Sequence, residues 1–145
     1  MRKTVIWKTT AIAVVIALVL ATLPTVSVFA ANETNKKIED RWDAAVSAYE
    51  RQAMFHKAAH NMAENFLATV KTGVKASEKA EVERHLATCN TALYAAQAVV
   101  SAHQGFDSAG KVIDRAQAIK SIKLLTKYVH QHAAAVKNIK EHVRK

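Results

Sequence analysis

The stretch Ala102-His103-Gln104-Gly105-Phe106-Asp107-Ser108-Ala109-Gly110-Lys111-Val112-Ile113-Asp114-Arg115-Ala116-Gln117-Ala118 decides the fold. It holds two of the chain's three glycines and lies between two strongly periodic segments, so it reads as the main corner of a helical bundle. Gly105 follows a run whose last apolar-stripe member is His103. A glycine there suits the left-handed position past a helix end, with Phe106 folding back as the hydrophobic partner of that cap. Asp114 then offers its carboxylate to the free N–H groups of a new helix. Gln117 stands three residues later as in a capping box, and Ile113 stands where a hydrophobic staple would reach Ala118.

Before the corner, Val82, Leu86, Cys89, Leu93, Ala96, Val100 and His103 recur at steps of four and three. After it, Ala118, Ile122, Leu125, Val129, His132, Val136, Ile139 and Val143 keep the same rhythm, which is that of one helix face. Nearer the N-terminus, Ile38, Trp42, Ala45, Tyr49, His56, Ala59, Ala63, Phe66 and Val70 trace a third such face, with Gln52 filling one polar gap. That helix has about 35 residues and spans about 50 Å. Thr34 or Asn35 serves as its N-cap, Gly73 and the polar stretch through Ser77 end it, and Ser77 caps the next.

Proline is absent after residue 24 and no alternating strand pattern competes. The chain therefore reads as all-α, an antiparallel up-down-up three-helix bundle with coiled-coil-like packing. Its helices are expected over about 36–73, 78–103 and 114–144. The first helix is the longer, so its beginning projects past the corner, where Phe106, Val112 and Ile113 are expected to cover Trp42. Much of the remaining interface is alanine, which allows close approach but buries little area. A partner, including a second copy of the chain, could complete that core.

The first 30 residues read as a secretory signal peptide: Arg2, Lys3 and Lys8 form a positive n-region, Ala11 to Leu23 an apolar h-region, and Val28-Phe29-Ala30 a permissive cleavage site. The rival reading is an uncleaved anchor, since Thr9 to Ala31 could span about 30 Å of hydrocarbon if Pro24 is tolerated. Either reading exports the domain, to a periplasm or the exterior. No cysteine follows the h-region directly, which argues against a lipoprotein. Residues 31–145 then form a single domain. The chain has 21 Lys+Arg against 12 Asp+Glu, and removing the three cations of the leader leaves 18 against 12, a net +6. Cys89 is the only cysteine, so no intramolecular disulfide can form.

The corner run Ala102-His103-x-Gly105-Phe106-Asp107-x-x-Gly110-Lys111-Val112-x-Asp114-Arg115-x-Gln117-Ala118, with Leu86-Ala87-Thr88 leading towards it, resembles a group of uncharacterised, exported, helical bacterial proteins. The resemblance implies a secreted helical bundle and carries no activity, cofactor or catalytic residue. Cys89 and the additional histidines are not features of that group.

Charge carries the leading functional expectation. From Lys111 onward nine cations stand against two acids, Asp114 and Glu141. Lys120, Lys123, Lys127, His130, Lys137 and Arg144 lie opposite the apolar stripe of the third helix, as an outward basic ridge. Such a ridge suits an anionic envelope polymer, a lipid surface or an acidic protein partner, through Coulomb attraction and counterion release. Interleaved aromatics for base stacking are absent, so sequence-specific nucleic-acid reading is not indicated. A solvated face is the plain alternative.

The second expectation is a small metal- or haem-binding bundle. The chain has seven histidines, and His56 and His60 are spaced i,i+4 on one helix side. The antiparallel levels place His60 near Cys89 and within a turn or two of His132 or Tyr128. His56, His60, Cys89 and His132 are thus the candidate metal ligands, with no second-shell partner evident from spacing. Met62 with one of these histidines could serve haem, although the absence of Cys-x-x-Cys-His excludes covalent attachment. A third expectation is a structural self-associating module. Asp107, Gly110 and Asp114 fail the calcium-loop grammar, because the first and last positions fall on Gly105 and Ala116. No nucleophilic grouping, phosphate loop or paired carboxylates stand at recognisable spacing, so no enzyme is expected.

Overall fold

The structure is a computed structural model that describes residues 34–69 and 76–144. The expected signal peptide over residues 1–30, Val70 and the Gly73 break lie outside the described residues. Glu33–Lys145 make one compact unit. Its helices are α1 (Asn35–Thr69), α2 (Ala76–Ala102) and α3 (Arg115–Val143), and each packs against the other two. None of the described helices is long and apolar enough to cross a membrane.

Three levels fix the topology. At one end Trp42 of α1 stacks on Phe106 of the corner between α2 and α3. In the middle His56, Cys89 and His132 meet. At the other end Ala59, Ala63, Val82, Ala135, Val136 and Ile139 share one buried cluster. Residue numbers rise along α1 and α3 and fall along α2 from the corner to that end, which is the expected up-down-up bundle.

The caps follow from local chemistry. At the start of α1 the Thr34 hydroxyl accepts from the Lys37 N–H at 3.4 Å, and the Thr34 carbonyl accepts from Ile38 at 3.2 Å. Asp114 caps α3 from extended backbone, its carboxylate accepting from the Gln117 N–H at 3.0 Å. The reciprocal arm of a capping box has no donor to use, because the Asp114 N–H donates to the Gly105 carbonyl at 3.2 Å. Ser77 stands within the first turn of α2, which begins at Ala76, and is not its cap.

The corner differs from the expectation in three respects. First, the residue that leaves α2 in the left-handed region is His103, with φ 31°, and it is exposed and off the apolar stripe. Gly105 is also left-handed, with φ 90°, but its decisive constraint is space: a Cβ there would lie 2.1 Å from the Ala118 nitrogen and 2.7 Å from the Asp114 carbonyl oxygen. The chain crosses itself at this glycine, whose carbonyl accepts from both Ile113 and Asp114. Second, Ile113 is 71% exposed, so it neither staples to Ala118 nor covers Trp42. Third, Glu39 of α1 ties the corner down, accepting from Lys111 Nζ at 3.0 Å and from the Val112 N–H at 3.2 Å. These bonds hold the Glu39 carboxyl below its usual range, the Lys111 ammonium being the larger cause.

Phe106 does fold back as expected. Its ring lies 4.5 Å from that of Trp42, inclined by 21°, and both side chains are buried. Burying each contributes on the order of 2–3 kcal/mol before entropy is counted. Asp107 and Gly110 form a closed turn: the Asp107 carboxylate accepts from the Ala109 and Lys111 N–H groups at 2.9 and 2.8 Å.

The buried faces are wider than single seams, since each helix of a three-helix bundle faces two neighbours. On α2 the buried set is Val82, His85, Cys89, Ala92, Ala96 and Val99, while Leu86, Leu93 and Val100 are half-buried. α3 is the most buried helix, from Ala118 through Ile139.

Candidate metal centre

Each helix contributes a residue to the middle level of the bundle. His56 of α1, Cys89 of α2 and His132 of α3 point inward from equivalent stripe positions, and their donor atoms all lie within 4.8 Å of one another. His56 Nδ1 is 3.1 Å from His132 Nε2 and 3.5 Å from Cys89 Sγ. Nitrogens about 2.0–2.1 Å and a sulfur about 2.3 Å from one tetrahedral ion would be about 3.3 Å (N to N) and 3.5 Å (N to S) apart. Both separations made by His56 thus match those around one tetrahedral ion, and the Cys89 and His132 donors lie within 4.8 Å of each other.

The far side of His132 is already arranged for ligation. Its Nδ1 lies 2.9 Å from Gln52 Oε1. An amide oxygen only accepts, so Nδ1 carries the proton and Nε2 keeps its lone pair directed at the centre. Gln52, the polar gap in the α1 stripe, is thus the outer-shell partner that spacing alone did not reveal. Its signal in the sequence was a polar residue on a buried face, one turn before His56.

Burial sets the electrostatics. Cys89 and His132 are wholly buried, while His56 is half-buried. Burial, with a smaller contribution from the His56 charge, pushes His132 down to about 4. Burial and then the charge of His60 lower His56 as well. Both imidazoles are therefore neutral near pH 7, the form that ligates. Burial raises the Cys89 thiol to about 11, so without a cation beside it the sulfur stays protonated and is a poor nucleophile.

His60 is not brought into this group. It lies one turn further along α1, where its Nδ1 faces Glu64 Oε2 at 3.3 Å, and its ring centroid is 6.0 Å from that of His56. The expected level was one turn out, and His56 takes the place given to His60 beside Cys89. Met62 packs on the apolar cluster below the centre.

A second convergence, not foreseen from spacing, joins Glu81 and His85 of α2 to His142 of α3, with donor atoms within 4.8 Å. His85 Nε2 lies 3.5 Å from Glu81 Oε2, and the His85 and His142 rings are 5.8 Å apart. Arg84 makes it a poor cation site: its guanidinium pairs with Glu81 and lies 3.4 Å from His85 Nε2. The i,i+4 spacing of Glu81 and His85 was its legible sign.

Along α3, Lys123, Lys127, His130, Lys137 and Arg144 are exposed and Lys120 is half-buried. Lys137 Nζ lies 3.7 Å from Glu141, and Lys127 Nζ lies 5.8 Å from the centre of the Tyr128 ring.

No protein-family description, curated protein or solved structure matches this chain.

Proposed function

We propose that this protein is an exported, non-catalytic helical bundle that holds a metal ion in its core through His56, Cys89 and His132. The observation that carries the reading is the convergence of one thiol and two imidazole nitrogens, one from each helix, at separations of 3.1 and 3.5 Å. The Gln52 bond, which frees His132 Nε2 for ligation, supports it further. Export rests on the leader-like residues 1–30.

Elemental mass spectrometry of the protein purified without an affinity tag tests this reading. Stoichiometric metal, lost in Cys89→Ser and in His132→Leu, is the expected result. Metal-free protein that also fails to take up zinc, cobalt or copper on titration overturns it.

The exposed cations of α3 favour a second reading, a surface that docks the bundle on an anionic polymer, lipid surface or acidic partner. Replacing Lys120, Lys123 and Lys127 by Gln should then abolish sedimentation with anionic vesicles at low salt while leaving helicity intact. Unchanged binding refutes it.

A further inference from the structure

We infer that the cation this centre is built to hold is soft and monovalent, copper(I), and not a divalent ion. The inference rests on the metal-binding reading above. It follows from charge and from the number of ligands. The centre supplies one thiolate and two neutral imidazoles, and Gln52, the group behind His132, is also neutral. Among the described residues no carboxylate joins the three donors. Of the acids that flank His56 along α1, Glu50 is exposed and Glu64 faces His60.

A monovalent cation on one thiolate makes a neutral complex. A divalent cation leaves a net positive charge among side chains of which Cys89 and His132 are wholly buried. An uncompensated buried charge is strongly disfavoured, and among the described residues no second anion joins the donors to offset it.

Ligand count points the same way. A closed structural zinc site has four protein ligands and a three-ligand zinc site needs water as its fourth, whereas this centre presents three and the next histidine, His60, is turned away. Thiolate with imidazole is a donor set soft enough for copper(I), which accepts three-coordination. On binding, a copper–sulfur bond forms and the Cys89 thiol proton leaves to solvent. The His56 proton moves from Nδ1 to Nε2, so one proton is released in total and the copper keeps its oxidation state.

The test is competitive titration of the metal-free full chain under reducing conditions, against a chromophoric copper(I) chelator and, separately, against a zinc indicator. X-ray absorption of the copper-loaded protein accompanies it. The expected result is binding of copper(I) at least about a hundredfold tighter than zinc(II), with two nitrogens and one sulfur around the metal, and loss of that sulfur in Cys89→Ser. Zinc(II) or cobalt(II) binding as tight as copper(I) overturns the monovalent assignment and leaves the metal-binding reading standing. Failure of every metal to bind overturns both. A copper shell without sulfur in the unaltered protein also overturns the assignment, and this readout holds even if Cys89→Ser does not fold.

Discussion

Single residues carry the most sharply defined constraints, and the two described glycines show how different those constraints can be. Gly105 combines a left-handed φ with a backbone crossing, because any Cβ would enter the space of Ala118 N and Asp114 O. Gly110 is left-handed too, with φ 75°, but its added Cβ would meet only Trp42 and Asp43 side-chain atoms at 3.9 Å. Gly110→Ala should therefore cost about 1–2 kcal/mol, the left-handed penalty alone. Gly105→Ala should cost at least about 3 kcal/mol, since backbone must also move. Urea denaturation of both variants checks this, and equal losses would contradict the crossing. His103, also left-handed, shows why the glycine alone was a misleading guide to where α2 ends.

At the scale of the element, α3 begins by a side-chain cap and not by a hydrophobic staple. Asp114→Ala removes the acceptor for the Gln117 N–H and should lower the unfolding free energy by about 1 kcal/mol, with Asp114→Asn retaining most of it. Ile113→Ala, at a side chain 71% exposed, should stay within about 0.5 kcal/mol of the parent. A loss of more than 1 kcal/mol from Ile113→Ala would restore the staple. The α1 end of the corner depends instead on the Trp42–Phe106 stack. Trp42→Ala should cost about 3–5 kcal/mol in chemical denaturation, as large aromatic truncations in a packed core do.

For the whole molecule, the buried centre couples stability to pH in the metal-free state. His132 titrates near 4 in the fold against 6.5 in the unfolded chain, and His56 is lowered in the same direction. The unfolded chain thus binds more protons between these values. The contribution is complete above pH 6.5 and is lost as pH falls towards 4, by about 3 kcal/mol from His132. Cys89 acts at the other limit. Its thiol is raised from 9.0 to about 11, so the stability it contributes is present below pH 9 and is lost as pH rises towards 11. Thermal melts of metal-free protein should therefore trace a plateau from about pH 6.5 to 9, and His132→Leu should flatten its acid shoulder. An acid shoulder unchanged in that variant would place the titrating group elsewhere.

Helix number, order and direction were legible in the sequence, because a repeat of apolar residues at steps of four and three is a local property that backbone geometry converts directly into a buried face. The Asp114 cap was legible for the same reason: its bond closes within three residues. What only the tertiary structure decided was the level at which one helix meets another. A one-turn error is invisible to periodicity, since His56 and His60 occupy the same side of α1, yet it determines which of them reaches Cys89 and His132. Gln52 behind His132, Glu39 under the corner and the Glu81–His85–His142 group all depend on contacts between helices far apart in the chain. Side-chain volumes at Trp42, Phe106 and the alanine-lined cluster set those levels, and no repeat within a single helix encodes them.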